Sequence, residues 1–284
     1  MIKCIATDMD GTLLNSTAKK ITDENRDAIL QAQSKGIEVV IATGRSYDEA
    51  DFLLEEAGLQ CSVICVNGAE IRSKEGEIVS ATPLAKQDAA DAAFLLKENE
   101  VYFEIYTDKG KFTNDPKTSV SVMVDIVASA NPDVDYQEAI HFAEERVKKI
   151  HQVDDYHELF TNEQYKIYKF LAFSFDADKL AKASKELTKI DALAVSSSGH
   201  ENLEITNKQA QKGIALEAFV KARGITLEET MAIGDNLNDV SMFEKAGRSV
   251  AMGNASQMIK DLCDFVTDTN EESGVAKAIL AVLE

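Results

Sequence analysis

The chain has 284 residues, 45% of them apolar, which is enough to bury a sizeable core and excludes wholesale disorder. Its 30 Lys and Arg against 49 Asp and Glu leave a formal charge of −19, a surface that repels nucleic acid and anionic lipid. A phosphorylated substrate would meet the same repulsion and would need a local cation.

Ile2–Thr7 predicts a short strand, too brief for a signal peptide. Asp23–Lys35 has helical spacing, with Ile29 and Ala32 on one face and Gly36 as a stop. Ile37–Ala42 predicts a second strand, Tyr47–Ala57 a helix closed by Gly58, and Ser62–Val66 a third strand. Strands alternating with helices imply parallel pairing through right-handed crossovers. The middle of the chain reads differently. Val101–Tyr106 and Tyr165–Phe170 alternate in period two, which suits an antiparallel sheet with one face covered. Helical patterns at Lys86–Asn99, Val120–Ala130 and Asp178–Thr188 fall between or after them. From Gly213 the first pattern returns: helix to Gly224, strand Thr230–Ile233, helix Leu237–Ala246, strand Ser249–Met252, helix Ala255–Leu262, strand Phe265-Val266 and a closing helix Ser273–Leu283. The expected fold is therefore α/β, a Rossmann-like parallel-sheet core at 1–83 and 207–284 with an α+β unit inserted at 84–206.

No run approaches the ~20 apolar residues of a membrane span. Cys4, Cys61, Cys65 and Cys263 lie in apolar stretches without a zinc or redox spacing, so they read as reduced core residues of a cytoplasmic protein.

Open parallel sheets bind ligands beyond the carboxyl ends of their strands. Three predicted core strands end there in polar segments: Asp8-Met9-Asp10-Gly11-Thr12, Thr43-Gly44-Arg45, and Asp235-Asn236-Leu237-Asn238-Asp239 after Gly234. Asp8, Asp10, Asp235 and Asp239 would crowd several negative charges into one crevice. Two unit charges ~4 Å apart repel by about 4 kcal/mol at an effective dielectric of about 20, so the cluster implies a cation. Oxygen ligands with room for water and phosphate oxygens describe magnesium rather than zinc. Asp8 and Asp10, two apart on an extended tip, point to the same side. One carboxylate can attack phosphorus, and the other can protonate the leaving oxygen and later accept a proton from water. Thr43 offers a hydroxyl and a backbone N–H to a phosphoryl oxygen, and Lys212 offers a positive point charge.

Asp8-Met9-Asp10-Gly11-Thr12-Leu13-Leu14 resembles the first motif of the phosphatase branch of the haloacid dehalogenase-like superfamily. Thr43-Gly44-Arg45, Lys212-Gly213 and Gly234-Asp235-x-x-Asn238-Asp239 resemble its second, third and fourth motifs, in the family order. The insert is similar to the α/β cap of the Cof-type sugar-phosphate phosphatases, and Asn67-Gly68-Ala69 and Leu203-Glu204-Ile205 are further Cof-like marks. Asn207 stands where such proteins often carry proline. The resemblance implies that Asp8 is the nucleophile and a magnesium ligand. It implies that Asp10 is the general acid/base and binds the metal through its carbonyl, and that Asp235 is the third protein ligand. Thr43, Gly44, Lys212 and Asn238 would bind the phosphoryl group. Asp239 would steady Lys212 or a metal-bound water.

Taken singly, each segment also reads as a turn or a helix cap; four of them in one matching order carry the functional reading. Arg45 has two readings, a substrate contact or an ion pair with a surface carboxylate. Asn67 either borders the crevice or forms the turn that Asn-Gly favours. His141, His151, His157, Lys166 and Lys169 read as contacts to a substrate's distal part or, the stronger reading, as solvated residues, and the tyrosines at 102, 106, 165 and 168 as sheet packing more than a ligand platform. The expected activity is hydrolysis of phosphate monoesters of small metabolites, such as sugar phosphates, pyridoxal phosphate or flavin mononucleotide. A sugar phosphomutase is the alternative within the same chemistry. A phosphorylatable signalling domain is the alternative outside it, disfavoured because a long-lived acyl phosphate has no use for a hydrolytic base at Asp10.

Overall fold

The computed structural model describes residues 1–130, 134–197 and 200–283. Two compact units emerge, Met1–Thr82 with Gln209–Glu284, and Pro83–Lys208.

In the first unit the described residues form an eight-stranded sheet. Its order is Phe265–Val266, Arg248–Ala251, Thr230–Gly234, Cys4–Thr7, Glu38–Ala42, Ser62–Cys65, Glu70–Arg72, Ile78–Ala81. The first six strands run parallel, and each of the last two pairs antiparallel with the strand before it. Cys4–Thr7 lies at the centre, with Thr7 level with Ile233 on one side and Ile41 on the other. That register brings the ends of three strands, and the polar segments that follow them, to one edge. The crossovers leave the central strand in both directions, which opens a crevice at that edge. Both strand faces are buried, as parallel sheets require. Cys4, Ala6, Val40, Ala42 and Ile64 pack under Leu216, Phe219 and Val220 of the helix Lys212–Lys221. Ile5, Val39, Ile41 and Val63 are also buried. Helix Asp23–Ser34 is capped by Thr22, whose hydroxyl accepts from the Asn25 N–H. The buried Asn25 carboxamide then donates to the Leu13 carbonyl and accepts from the Ala276 N–H, anchoring the chain just beyond the first polar segment. The expected single helix at Leu237–Ala246 is instead two short turns, Leu237–Asp239 and Val240–Phe243. The break follows from Asp239, whose carboxylate bends back to accept from the N–H groups of Asp235 and Asn236.

The second unit is built on six described strands in the order His151–Gln152, Gly110–Thr113, Tyr102–Thr107, Ile167–Phe173, Asn202–Asn207, Leu193–Ser196. All neighbours are antiparallel except the first pair. Phe103, Ile105, Phe170, Ala172 and Ile205 face helices Lys86–Glu98 and Ala177–Leu187. The period-two pattern anticipated one covered face, but the other face is partly covered as well. Glu104, 1% exposed, accepts from both Arg146 guanidinium nitrogens at 2.9 Å and from Ser119 Oγ at 2.9 Å. Those partners stand on helices Tyr136–Val147 and Pro116–Ala130, which are thereby pinned to the sheet. Helix Tyr136–Val147 was not anticipated, because its buried positions are small (Ala139, Ala143 and Val147) and leave a weak periodic signal. Lys169 is also buried, 3.3 Å from Glu204 and over the Tyr106 ring, so it is not the solvated lysine expected.

Three cysteines are buried, whereas Cys263 is only half-buried, short of the core position expected. Among the described residues no helix is long and apolar enough to cross a membrane.

Candidate active site

Asp8 directly follows the central strand, its N–H donating to the Ile233 carbonyl at 2.9 Å. The residue is 5% exposed. The chain then turns at Gly11, where φ is +75°. A Cβ there would lie 2.5 Å from Asp235 Oδ2, so glycine is required by conformation and by space. Thr12 donates its hydroxyl to Asp235 Oδ1 at 2.9 Å. Asn254 donates to the Gly11 carbonyl at 2.8 Å and holds the turn from outside.

Lys212 is the centre of the electrostatics. It opens its helix fully buried, with Nζ donating to Asp8 Oδ1 at 2.5 Å and to Asp239 Oδ1 at 2.7 Å. Burial pulls its ammonium down, but Asp239 and Asp8 outweigh burial and hold it above its ordinary value. Burial pushes the Asp8 carboxyl well above the usual range, Lys212 pulls it back, and Asp239 and Asp235 push it up again. Burial likewise raises Asp235 to about 6, with the Thr12 hydroxyl working against the shift and Asp239 adding to it.

Carboxylate oxygens of Asp8, Asp235 and Asp239 lie within 4.8 Å of one another. Asp239 has no oxygen to spare: Oδ1 takes Lys212, and Oδ2 takes the N–H groups of Asp235 and Asn236. Asp8 and Asp235 each engage one partner through Oδ1, and among the described residues Oδ2 of each carries no hydrogen bond. An oxygen-only donor set with two open carboxylate oxygens fits a hard divalent cation such as magnesium. Two carboxyls raised by burial are also the groups such a cation would return to the ionised form.

Thr43 is fully buried at the end of strand Glu38–Ala42, its N–H donating to Ile64 O at 2.8 Å and its Oγ1 accepting from the Arg45 N–H at 3.1 Å. Gly44 packs against Asn67, whose Oδ1 lies 3.0 Å from where a Cβ would stand. Asn238 is exposed and donates to Asn67 Oδ1 at 3.2 Å. The four polar segments therefore meet at one edge of one sheet. Asp10 lies apart from the lysine cluster. Its carboxylate is half-exposed and bidentate with Arg45, at 2.5 and 2.7 Å. Arg45 thus takes the ion-pair reading of its two. The Thr12–Asp235 and Asn67–Asn238 contacts leave no mark in the sequence, although Thr12 and Asn67 both lie in motif segments, and no pattern points to Asn254.

A buried lysine between carboxylates, at the switch point of a parallel sheet with two open carboxylate oxygens, is a site suited to an anion bound beside a cation. The family model for haloacid dehalogenase-like hydrolases matches residues 5–279. Phosphatase YwpJ of Bacillus subtilis is 39% identical, covering 97% of this chain and 98% of its own. The 5-amino-6-(5-phospho-D-ribitylamino)uracil phosphatase YwtE of the same organism is 40% identical, covering 97% and 96%. The solved structure of a haloacid dehalogenase-like hydrolase from B. subtilis superposes with a TM-score of 0.84 at 38% identity, covering 98% of this chain and 99% of that one. The chain belongs to the haloacid dehalogenase-like hydrolases, as an enzyme of their phosphatase branch.

Proposed function

We propose that this enzyme is a magnesium-dependent phosphatase of small phosphorylated metabolites, working through an aspartyl-phosphate on Asp8. The observation that carries the reading is the single cluster formed by Asp8, Lys212, Asp235 and Asp239 from three distant segments.

Asp8 supplies the nucleophilic carboxylate, with Lys212 donating to its Oδ1. It attacks phosphorus, and the ester oxygen leaves with a proton from Asp10. In the second half Asp10 takes a proton from water, the water oxygen attacks the aspartyl-phosphate, and Asp8 is released with inorganic phosphate. Lys212, the Thr43 hydroxyl, the Gly44 backbone and the Asn238 amide bind the phosphoryl oxygens as charge shifts among them. Asp8 and Asp235, with the Asp10 carbonyl, would hold magnesium, which would supply positive charge against the phosphoryl oxygens. Asp239 keeps Lys212 aimed at Asp8 and takes no metal. Asp10 must leave Arg45 before it can donate, because Arg45 engages both of its carboxylate oxygens. The inserted unit, 84–206 by its sequence pattern, acts as a cap that selects the leaving group.

The relatives support a small phosphorylated metabolite as the substrate, and the phosphoribitylamino-uracil named for YwtE is one such ester. The test is release of inorganic phosphate from such esters with and without magnesium, comparing wild type with Asp8→Asn. The near-isosteric amide should leave the melting transition in place and lower turnover by about a thousandfold or more. An Asp8→Asn variant turning over near the wild-type rate overturns the nucleophile.

A further inference from the structure

The turn Val66-Asn67-Gly68 takes no part in the chemistry above, yet it touches three pieces of the site. Val66 has φ +50° and Asn67 φ +57°. Consecutive left-handed residues, one of them β-branched, are strained and persist only where the surroundings over-determine them. The surroundings here are the site itself. The Val66 N–H donates to Arg45 O and the Asn67 N–H to Thr43 O, each at 2.9 Å. Asn67 Oδ1 accepts from Asn238 Nδ2 at 3.2 Å. A Cβ on Gly68 would lie 2.5 Å from the carbonyl oxygen of Gln211, the residue that precedes Lys212. One strained turn thus meets the Thr43 segment, the approach to Lys212 and the Asn238 loop.

We propose that Asn67 is a positioning residue for phosphoryl binding, its carboxamide orienting Asn238 while the strained backbone fixes the carboxamide. This rests on the phosphatase reading. Substitution by glycine separates the two contributions, because glycine adopts positive φ freely and keeps the turn while losing the carboxamide.

The experiment is inhibition by orthovanadate with magnesium present, read in wild type, Asn67→Gly, Asn238→Ala and the double variant, alongside thermal melting. Asn67→Gly should melt within a few degrees of wild type and bind orthovanadate about tenfold more weakly, the scale of one lost hydrogen bond. The double variant should be no weaker than Asn238→Ala alone, since Asn67 acts through Asn238. Unchanged inhibition in Asn67→Gly, or losses that simply add in the double variant, would overturn the positioning role. A wild-type enzyme indifferent to orthovanadate would overturn the phosphatase reading and this inference with it, so the two failures are distinguishable.

Discussion

Lys212 shows how a costly group is retained. A buried ammonium is unfavourable alone, and its two carboxylates at 2.5 and 2.7 Å offset that cost only as a set. Asp239, held by Lys212 and two N–H groups, is the fixed member, and Asp8 is the member that keeps an oxygen open among the described residues. Gly11 sets the position of Asp235 from the other side, since any Cβ there meets the carboxylate. Gly11→Ala should therefore push Asp235 off its place and strain the turn. The magnesium concentration for half-maximal activity should rise about tenfold, the effect usual for altering what supports a metal ligand. A magnesium titration of phosphate release checks it; an unshifted midpoint removes Asp235 from the metal site.

Among the elements, the helix Lys212–Lys221 has the tightest constraint. Its second residue, Gly213, faces the backbone carbonyl of Ser241, and a Cβ would stand 1.9 Å from that oxygen. Because the obstacle is main chain, no side chain can swing aside. Gly213→Ala should destabilise the protein by about 3 kcal/mol, at the upper end of overpacking, and displace Lys212 with it. Urea denaturation should show the lower midpoint with an unchanged slope. The insert depends on a comparable single feature, the Glu104 carboxylate, which through Arg146 and Ser119 fastens two helices to a sheet face that an alternating pattern alone would leave open.

Across the whole molecule the formal charge of −19 opposes the approach of a phosphate dianion, while Lys212 favours it only at close range. Screening lengths shrink from about 30 Å at 0.01 M salt to about 8 Å at 0.15 M. KM for a dianionic ester should therefore fall roughly threefold over that range of added sodium chloride, magnesium held constant. A rising KM would show that the local field of the site extends beyond the repulsion of the acidic surface.

The parallel core was legible because buried strands write continuous apolar runs, and because the chemistry sits where those runs stop. Asp8, Thr43, Lys212 and Asp235 could be chosen from that rule and from the motif order. What the sequence could not specify is which oxygen of each carboxylate is occupied, that Arg45 takes Asp10, that Glu104 reaches Arg146, or that Asn67 meets Asn238. Those pairings join residues between 35 and 171 positions apart. Local pattern records whether a side chain faces the core or a strand tip; the partner it finds depends on sheet order and register, which exist only once the chain has folded.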